Sequence, residues 1–162
     1  MGEFVPSWNT LAKELNVRRA EGAKIVSTNG VFDLLHVGHL RYLQAARRRG
    51  DLLVVGVNSD ACTRLLKGDT RPFVPEAERA EMLAGLACVD YVTLFDEPTP
   101  VQLLETIRPH LHVKGGDYRI ESMPETAVVR QWGGDVITVE FVPAHSSSGI
   151  IERIAASARG QN

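Results

Sequence analysis

Two imidazoles set three residues apart, His36 and His39, are the residues of this chain best placed to do chemistry, because Gly38 stands between them and a helical pattern, Leu40, Leu43 and Ala46, follows at once. With Gly38 and His39 in the first turn of that helix, both rings project from one face. Gly38 omits a side chain where a ligand must come close. Free amides and the positive dipole end at that turn favour a phosphate, and two imidazole donors add to its hold. The device suits stabilising charge on a phosphoryl group. An ordinary loop pair and a metal-ligand pair are the other readings of the two rings taken alone. Ser146-Ser147-Ser148, ahead of Gly149-Ile150-Ile151, offers a second set of donors. Helix capping explains one serine, and three hydroxyls in a row also make a phosphate cradle. Lys114, followed by Gly115 and Gly116, puts a cation beside open backbone, which suits a nucleotide or substrate phosphate. Lys67 and Arg71 lie in the polar stretch from Lys67 to Val74 and could close over an anion as a lid, with solvated surface charge as the plain alternative. Arg79, at a helix start, opposes the dipole and calls for an anionic partner.

These side chains need elements that gather them. Lys24 to Ser27, Leu52 to Asn58, Tyr91 to Phe95, Leu111 to Lys114 and Val136 to Phe141 read as five short strands buried on both faces. Helical spacing separates them in Leu40, Leu43, Ala46; in Ala80, Leu83, Leu86; in Val101, Leu104, Ile107; and in Ala127 and Val128 before Trp132. A last helix is expected from about Ser148, with Ile150, Ile151 and Ile154 on one face. The alternation predicts right-handed crossovers and a doubly wound, Rossmann-like α/β fold, its five-stranded parallel sheet covered by helices on both faces. Ligands bind such sheets beyond the carboxyl ends of strands, where strand order reverses. The histidine pair, Asn58-Ser59-Asp60, Lys114-Gly115-Gly116-Asp117-Tyr118 and His145 to Gly149 all follow predicted strands, so they converge on one edge. Gly50-Asp51 and Gly133-Gly134 read as left-handed helix ends, and Pro75 before Glu76, Glu78 and Glu81 as a helix start. Leu11, Leu15 and Val17, with Trp8 at their edge, form one more helical pattern, expected to pack on the domain or on a partner subunit. Residues 1–162 are read as a single domain, 1–23 a helical N-terminal extension and 24–159 the core.

A chain of 162 residues, 44% hydrophobic and 23% charged, suits one core. Eighteen basic against twenty acidic side chains leave a net charge of −2, so no basic field is present to hold nucleic acid or an anionic membrane. Arg47 to Arg49, near a helix C-terminus, read as a favourable dipole contact. Apolar stretches are strand-sized and the N-terminus has no leader pattern, so a soluble cytoplasmic protein is expected. Cys62 and Cys88 stand outside any Cys-x-x-Cys spacing and read as packing residues. No Gly-x-x-x-x-Gly-Lys, Gly-x-Gly-x-x-Gly, His-Glu-x-x-His or Gly-x-Ser-x-Gly occurs where its chemistry needs it. Hydride transfer, serine hydrolysis and zinc proteolysis lose their usual supports.

His36-Val37-Gly38-His39 resembles the hallmark of the His-x-Gly-His nucleotidyltransferase superfamily. Within it, Thr28 to His36, Asn58-Ser59-Asp60, Leu66 to Pro72, Glu78-Arg79, Val89-Asp90 and Val113 to Tyr118 resemble the branch of heptose-phosphate adenylyltransferases, over nearly the whole stretch from Lys24 to Ile154. Members of that branch are often fused behind a sugar kinase, for which 162 residues leave no room, so the resemblance implies a stand-alone form. The related glycerol-phosphate cytidylyltransferases usually carry Arg-Thr-x-Gly-Ile-Ser-Thr-Thr before the last helix. Here Val142 to Ser148 lacks that arginine, which weighs against the cytidylyl reading, while Ser147 and Ser148 replace the heptose branch's threonines and keep their hydroxyls.

The resemblance implies transfer of AMP from ATP to D-glycero-D-manno-heptose 1-phosphate, giving ADP-heptose and pyrophosphate. Catalysis would fall to His36, His39 and Lys67. Nucleotide binding would fall to Asn29, Gly30, Val31, Phe32, Gly38, Lys114, Gly115, Asp117 and Ser146 to Gly149, and substrate binding to Asn58, Asp60, Arg71 and Arg79. Mg²⁺ would come with ATP and take few protein ligands. A homodimer is the implied assembly, with the helix from Ser7 to Arg19 as a contact. A cytidylyltransferase, another small-phosphate nucleotidyltransferase such as one acting on glycerol phosphate, and a non-catalytic nucleotide-sensing module remain the alternatives.

Overall fold

Six parallel strands form the sheet in the computed structural model of the chain, which describes residues 1–116, 119–139 and 147–159. In chain order the elements are β1 (Glu3–Phe4), α1 (Trp8–Ala20), β2 (Ile25–Gly30), α2 (Val37–Arg47), β3 (Leu52–Asn58), α3 (Asp60–Lys67), α4 (Glu76–Ala84), β4 (Tyr91–Phe95), α5 (Val101–Ile107), β5 (Leu111–Gly115), α6 (Pro124–Arg130), β6 (Asp135–Val139) and α7 (Ser147–Arg159). Strand order is β1-β4-β3-β2-β5-β6. The expectation of five strands is corrected by β1, whose Glu3 and Phe4 pair with Tyr91 and Val92. Two residues are too few to show the alternation by which strands are read. The last predicted strand is found from Asp135 to Val139, and residues 140 and 141 lie outside the described part.

The strands are apolar on both sides because helices cover both sides. Val26, Leu53, Val55, Val57 and Val92 pack with Tyr42, Leu43 and Ala46 of α2 and with Ala80 and Leu83 of α4. Their alternates Ile25, Val54, Tyr91 and Phe95 pack with Leu11 and Leu15 of α1 and with Leu103 and Ile107 of α5. Leu11 and Leu15 are fully buried, which contributes about 1.5–3 kcal/mol each, so the helix ahead of Lys24 packs on the body of the chain. The Trp8 indole N–H donates to the Leu94 carbonyl at 2.7 Å, and the Tyr91 hydroxyl donates to Glu14 at 3.1 Å. Val17 stays exposed, outside the packed face.

Two local readings change. Lys67 ends a helix, α3, capped by the Ser59 hydroxyl, which accepts from the Cys62 amide at 3.1 Å. Gly133 does take the left-handed conformation, at φ 80°, whereas Gly50 is needed for close approach: a Cβ there would meet the Lys24 carbonyl oxygen at 2.6 Å. From β2 the chain steps outward through β3 to β4, then returns to the far side of β2 for β5 and β6. The reversal therefore falls between β2 and β5, where a crevice opens at the strands' carboxyl ends.

Candidate active site

Helix α2 begins at that crevice with His36 as its N-cap residue, its backbone extended at φ −143° and ψ 171°. The spacing of the pair acts as expected: the two rings stack with centroids 3.9 Å apart and planes 24° from parallel. Gly38 is buried in the same turn. Phe32 meets the His39 ring edge-on at 5.3 Å, and it does so from a left-handed backbone, φ 52°, which is strained for a bulky side chain. Burial, then His36 and then Lys67, push the His39 pKa down to about 4, with the Leu34 carbonyl pulling it partly back. At neutral pH that ring is an uncharged hydrogen-bonding group.

His39 lines a cavity of about 350 Å³ together with Asn29, Gly30, Val31 and Phe32 from the end of β2. Asn58, Lys67, Arg71, Lys114, Gly115 and Ser147 complete the part foreseen from sequence. The Lys114 ammonium donates to Asn29 Oδ1 at 3.0 Å and to Glu125 Oε1 at 3.2 Å. Ser147 donates its hydroxyl to the Leu34 carbonyl at 3.1 Å, joining α7 to the loop before His36. Ser148 and Gly149 follow in the first turn of α7, outside the lining, and Asp117 and Ser146 lie outside the described residues.

Arg79 is a correction, and Asp60 is its partner. The Arg79 guanidinium is buried, donates to the Val74 carbonyl at 2.9 Å and to that of Val31, and pairs with Asp60 Oδ1 at 2.7 Å. The anion its charge calls for is inside the chain, so the Arg79 guanidinium is spent on structure, while Asp60 keeps its side chain 26% exposed. Together they fasten the loop after β2 to α3 and to the segment before α4.

Four lining residues were missed: Asp33, Tyr42, Leu66 and Pro98. Asp33 is the most consequential. One of its oxygens accepts from Arg71 Nε at 2.6 Å and the other from the amides of Phe73 and Val74 at 2.8 and 2.9 Å. Arg71 also lies 5.0 Å from the Phe73 ring centroid, so this cation is part of the cavity wall rather than a loose lid. The signal was an acid just after a strand, with a cationic loop still to be placed. Tyr42 crosses the crevice, its hydroxyl donating to the Val113 carbonyl of β5 at 2.8 Å and bonding Thr28 of β2. Among the described residues no group of three or more His, Cys, Asp or Glu side chains forms a metal site.

Residues 27–153 match the family described as cytidylyltransferase-like. The "Bifunctional protein HldE" of Syntrophotalea carbinolica is 53% identical over 145 residues, 90% of this chain and 30% of that protein. Its namesake from Geobacter metallireducens is 54% identical over 144 residues, 89% of this chain and 29% of that protein. The chain thus spans about 30% of the length of the curated relatives it matches. The crystal structure of the lipopolysaccharide core biosynthesis protein from Thermoplasma volcanium GSS1 superposes with a TM-score of 0.61 at 27% identity, over 75% of this chain and 98% of that one. With its stacked histidines at the crevice and a match spanning most of its length, the chain belongs to the cytidylyltransferase-like family.

Proposed function

We propose that the chain is a nucleotidyltransferase that moves AMP from ATP to D-glycero-D-manno-heptose 1-phosphate. The observation that carries the reading is the stacked His36–His39 pair at the start of α2, beside a cavity whose wall includes Lys67, Arg71 and Lys114. The substrate pair rests on the resemblance of the Lys114 to Tyr118 and Leu66 to Pro72 segments, and the similarity to the HldE proteins over about 90% of the chain supports it.

In this reading a phosphate oxygen of the sugar attacks the α-phosphorus in line. The bond from that phosphorus to its bridging oxygen breaks, and pyrophosphate leaves with the electron pair. A sugar phosphate is already nucleophilic at neutral pH, so the protein positions and neutralises rather than deprotonates. His36 and His39 donate hydrogen bonds to the reacting phosphates, and Lys67, Arg71 and Lys114 balance their charge. Asn29 to Phe32, Gly38, Gly115, Asp117 and Ser146 to Gly149 cradle the nucleotide, and Asn58 faces the sugar phosphate. Magnesium, brought in with ATP, would supply positive charge against the phosphates. Asp33 has both oxygens occupied by Arg71 and backbone amides, so the described residues do not make a ligand set for the ion. Residues 1–162 work as one domain, as a cytoplasmic homodimer without nucleic-acid or membrane partners. No described helix is long and apolar enough to cross a membrane. Because α1 turns Leu11 and Leu15 into its own core, any subunit contact it makes uses its outer face.

Pyrophosphate release with ATP or CTP, against heptose 1-phosphate or glycerol 3-phosphate, tests the reading. ATP with heptose 1-phosphate is expected to exceed every other pair by about tenfold or more in kcat/KM. A preference for CTP and glycerol phosphate overturns the substrate assignment. Tight ATP binding without pyrophosphate from any acceptor overturns the enzyme.

A further inference from the structure

The cation at the end of β5 is gripped by a carboxylate that does not itself line the cavity. Lys114 and Asn29 are both in the cavity wall, and the ammonium lies 3.0 Å from Asn29 Oδ1. On another side, at 3.2 Å, stands Glu125 Oε1, from the first turn of α6, its side chain only 6% exposed against 17% for Lys114. Two residues before Lys114 on the same face of β5, His112 is fully buried, its Nδ1 2.8 Å from Ser27 Oγ, and burial pushes its pKa down to about 3, so it adds no charge beside the ammonium.

Stability is a poor reason for a carboxylate in that position. Met123 and Val129 on either side of it belong to an apolar cluster with Leu104 and Val136, and a buried ion pair holds a fold no better than apolar side chains of similar volume. What the carboxylate does accomplish is directional. Lysine is a point charge on a flexible four-carbon stem, and a free one must give up rotamer freedom to meet a phosphate. Held between an amide oxygen on β2 and a carboxylate on α6, the ammonium is ordered before any ligand arrives.

We propose that Glu125 is a positioning residue for the reaction, acting through Lys114 to hold its ammonium at the cavity wall for a substrate phosphate. This rests on reading the cavity as a phosphate-binding site. It departs from a purely structural tie between β5 and α6, which is this same ion pair, in one measurable respect: loss of Glu125 should lower kcat/KM at an assay temperature well below the melting point, where the fold is intact, and only while Lys114 is present.

The test is a double-mutant cycle on the full chain with Glu125→Gln, Lys114→Ala and the pair together. Each protein is followed by pyrophosphate release from ATP and heptose 1-phosphate, by ATP affinity from calorimetry, and by thermal melting. Glu125→Gln is expected to lower kcat/KM about tenfold or more, and the double variant to fall no further than Lys114→Ala, within about twofold. Unchanged kcat/KM in Glu125→Gln, or a double variant that falls by the product of the single effects, overturns the proposal. If Glu125→Gln melts below the assay temperature, Glu125→Asp, which keeps the charge and withdraws it by one methylene, takes its place in the same cycle. A wild-type protein that binds ATP and releases no pyrophosphate refutes the proposed reaction, and the same non-additivity is then required of ATP affinity. A wild-type protein that does neither overturns both.

Discussion

Replacing Arg79 by leucine separates a structural cation from a substrate-binding one. Its guanidinium is 0% exposed, and its partner Asp60 is 26% exposed. Leucine removes an ion pair at 2.7 Å and two bonds to the Val74 and Val31 carbonyls, leaving those acceptors without the donor they face. Breaking a buried pair from one side costs about 3–5 kcal/mol, and water reaching Asp60 moves this change to the lower end, about 3 kcal/mol. In a chain of 162 residues that lowers Tm by about 6–12 °C. Asp60→Asn keeps an oxygen for the guanidinium and should cost about 1 kcal/mol, near 3 °C. Differential scanning calorimetry of the three proteins without ligand reads both shifts. A leucine variant melting within about 2 °C of the wild type while losing ATP-dependent turnover would refute the reasoning and return Arg79 to the substrate.

His39→Ala is expected to leave the melting temperature near that of the wild type and to lower kcat about a hundredfold, the loss of one preorganised donor worth about 3 kcal/mol, read by single-turnover pyrophosphate release. Because the folded His39 pKa of about 4 lies below its ordinary 6.5, the unfolded chain binds the extra proton first on acidification. This contribution to stability is complete above pH 6.5 and is lost as pH falls from 6.5 to 4, with His112 acting in the same sense. Melts across that range should show Tm falling with acid, and falling less steeply in His39→Asn; an equal slope in both proteins would remove His39 from the account.

The chemistry was legible where it depends on neighbours in sequence. His36 and His39 share a helix turn by spacing alone, and Lys114 closes the predicted strand from Leu111. Arg79 shows the limit. Its position at a helix start signalled an unmet need for an anion, but nothing along the chain says that Asp60, on a different helix, supplies it. Asp33 was missed for the converse reason, since a carboxylate after a strand looks like any turn residue until the loop carrying Arg71 and Phe73 folds back on it. Strand β1 was invisible because its pairing with β4 is a matter of backbone hydrogen bonds, to which Glu3 and Phe4 contribute no pattern. The reversal between β2 and β5 follows from strand order, which alternation of elements leaves open, and with it the grouping of Lys114 with Asn29.

The first strand also fixes where anything attached to it must leave. Gly2 sits so close to the Val89 carbonyl that a Cβ would meet its oxygen at 2.5 Å, while Met1 is fully exposed. Since β1 runs parallel to β4, its one neighbour in the sheet, and pairs with the first two residues of that strand, its start belongs to the floor of the molecule, opposite the crevice. Polypeptide joined ahead of Met1, whether an affinity tag or a fused module, would depart from that floor and leave the ceiling, where the histidines are, open to diffusing metabolites.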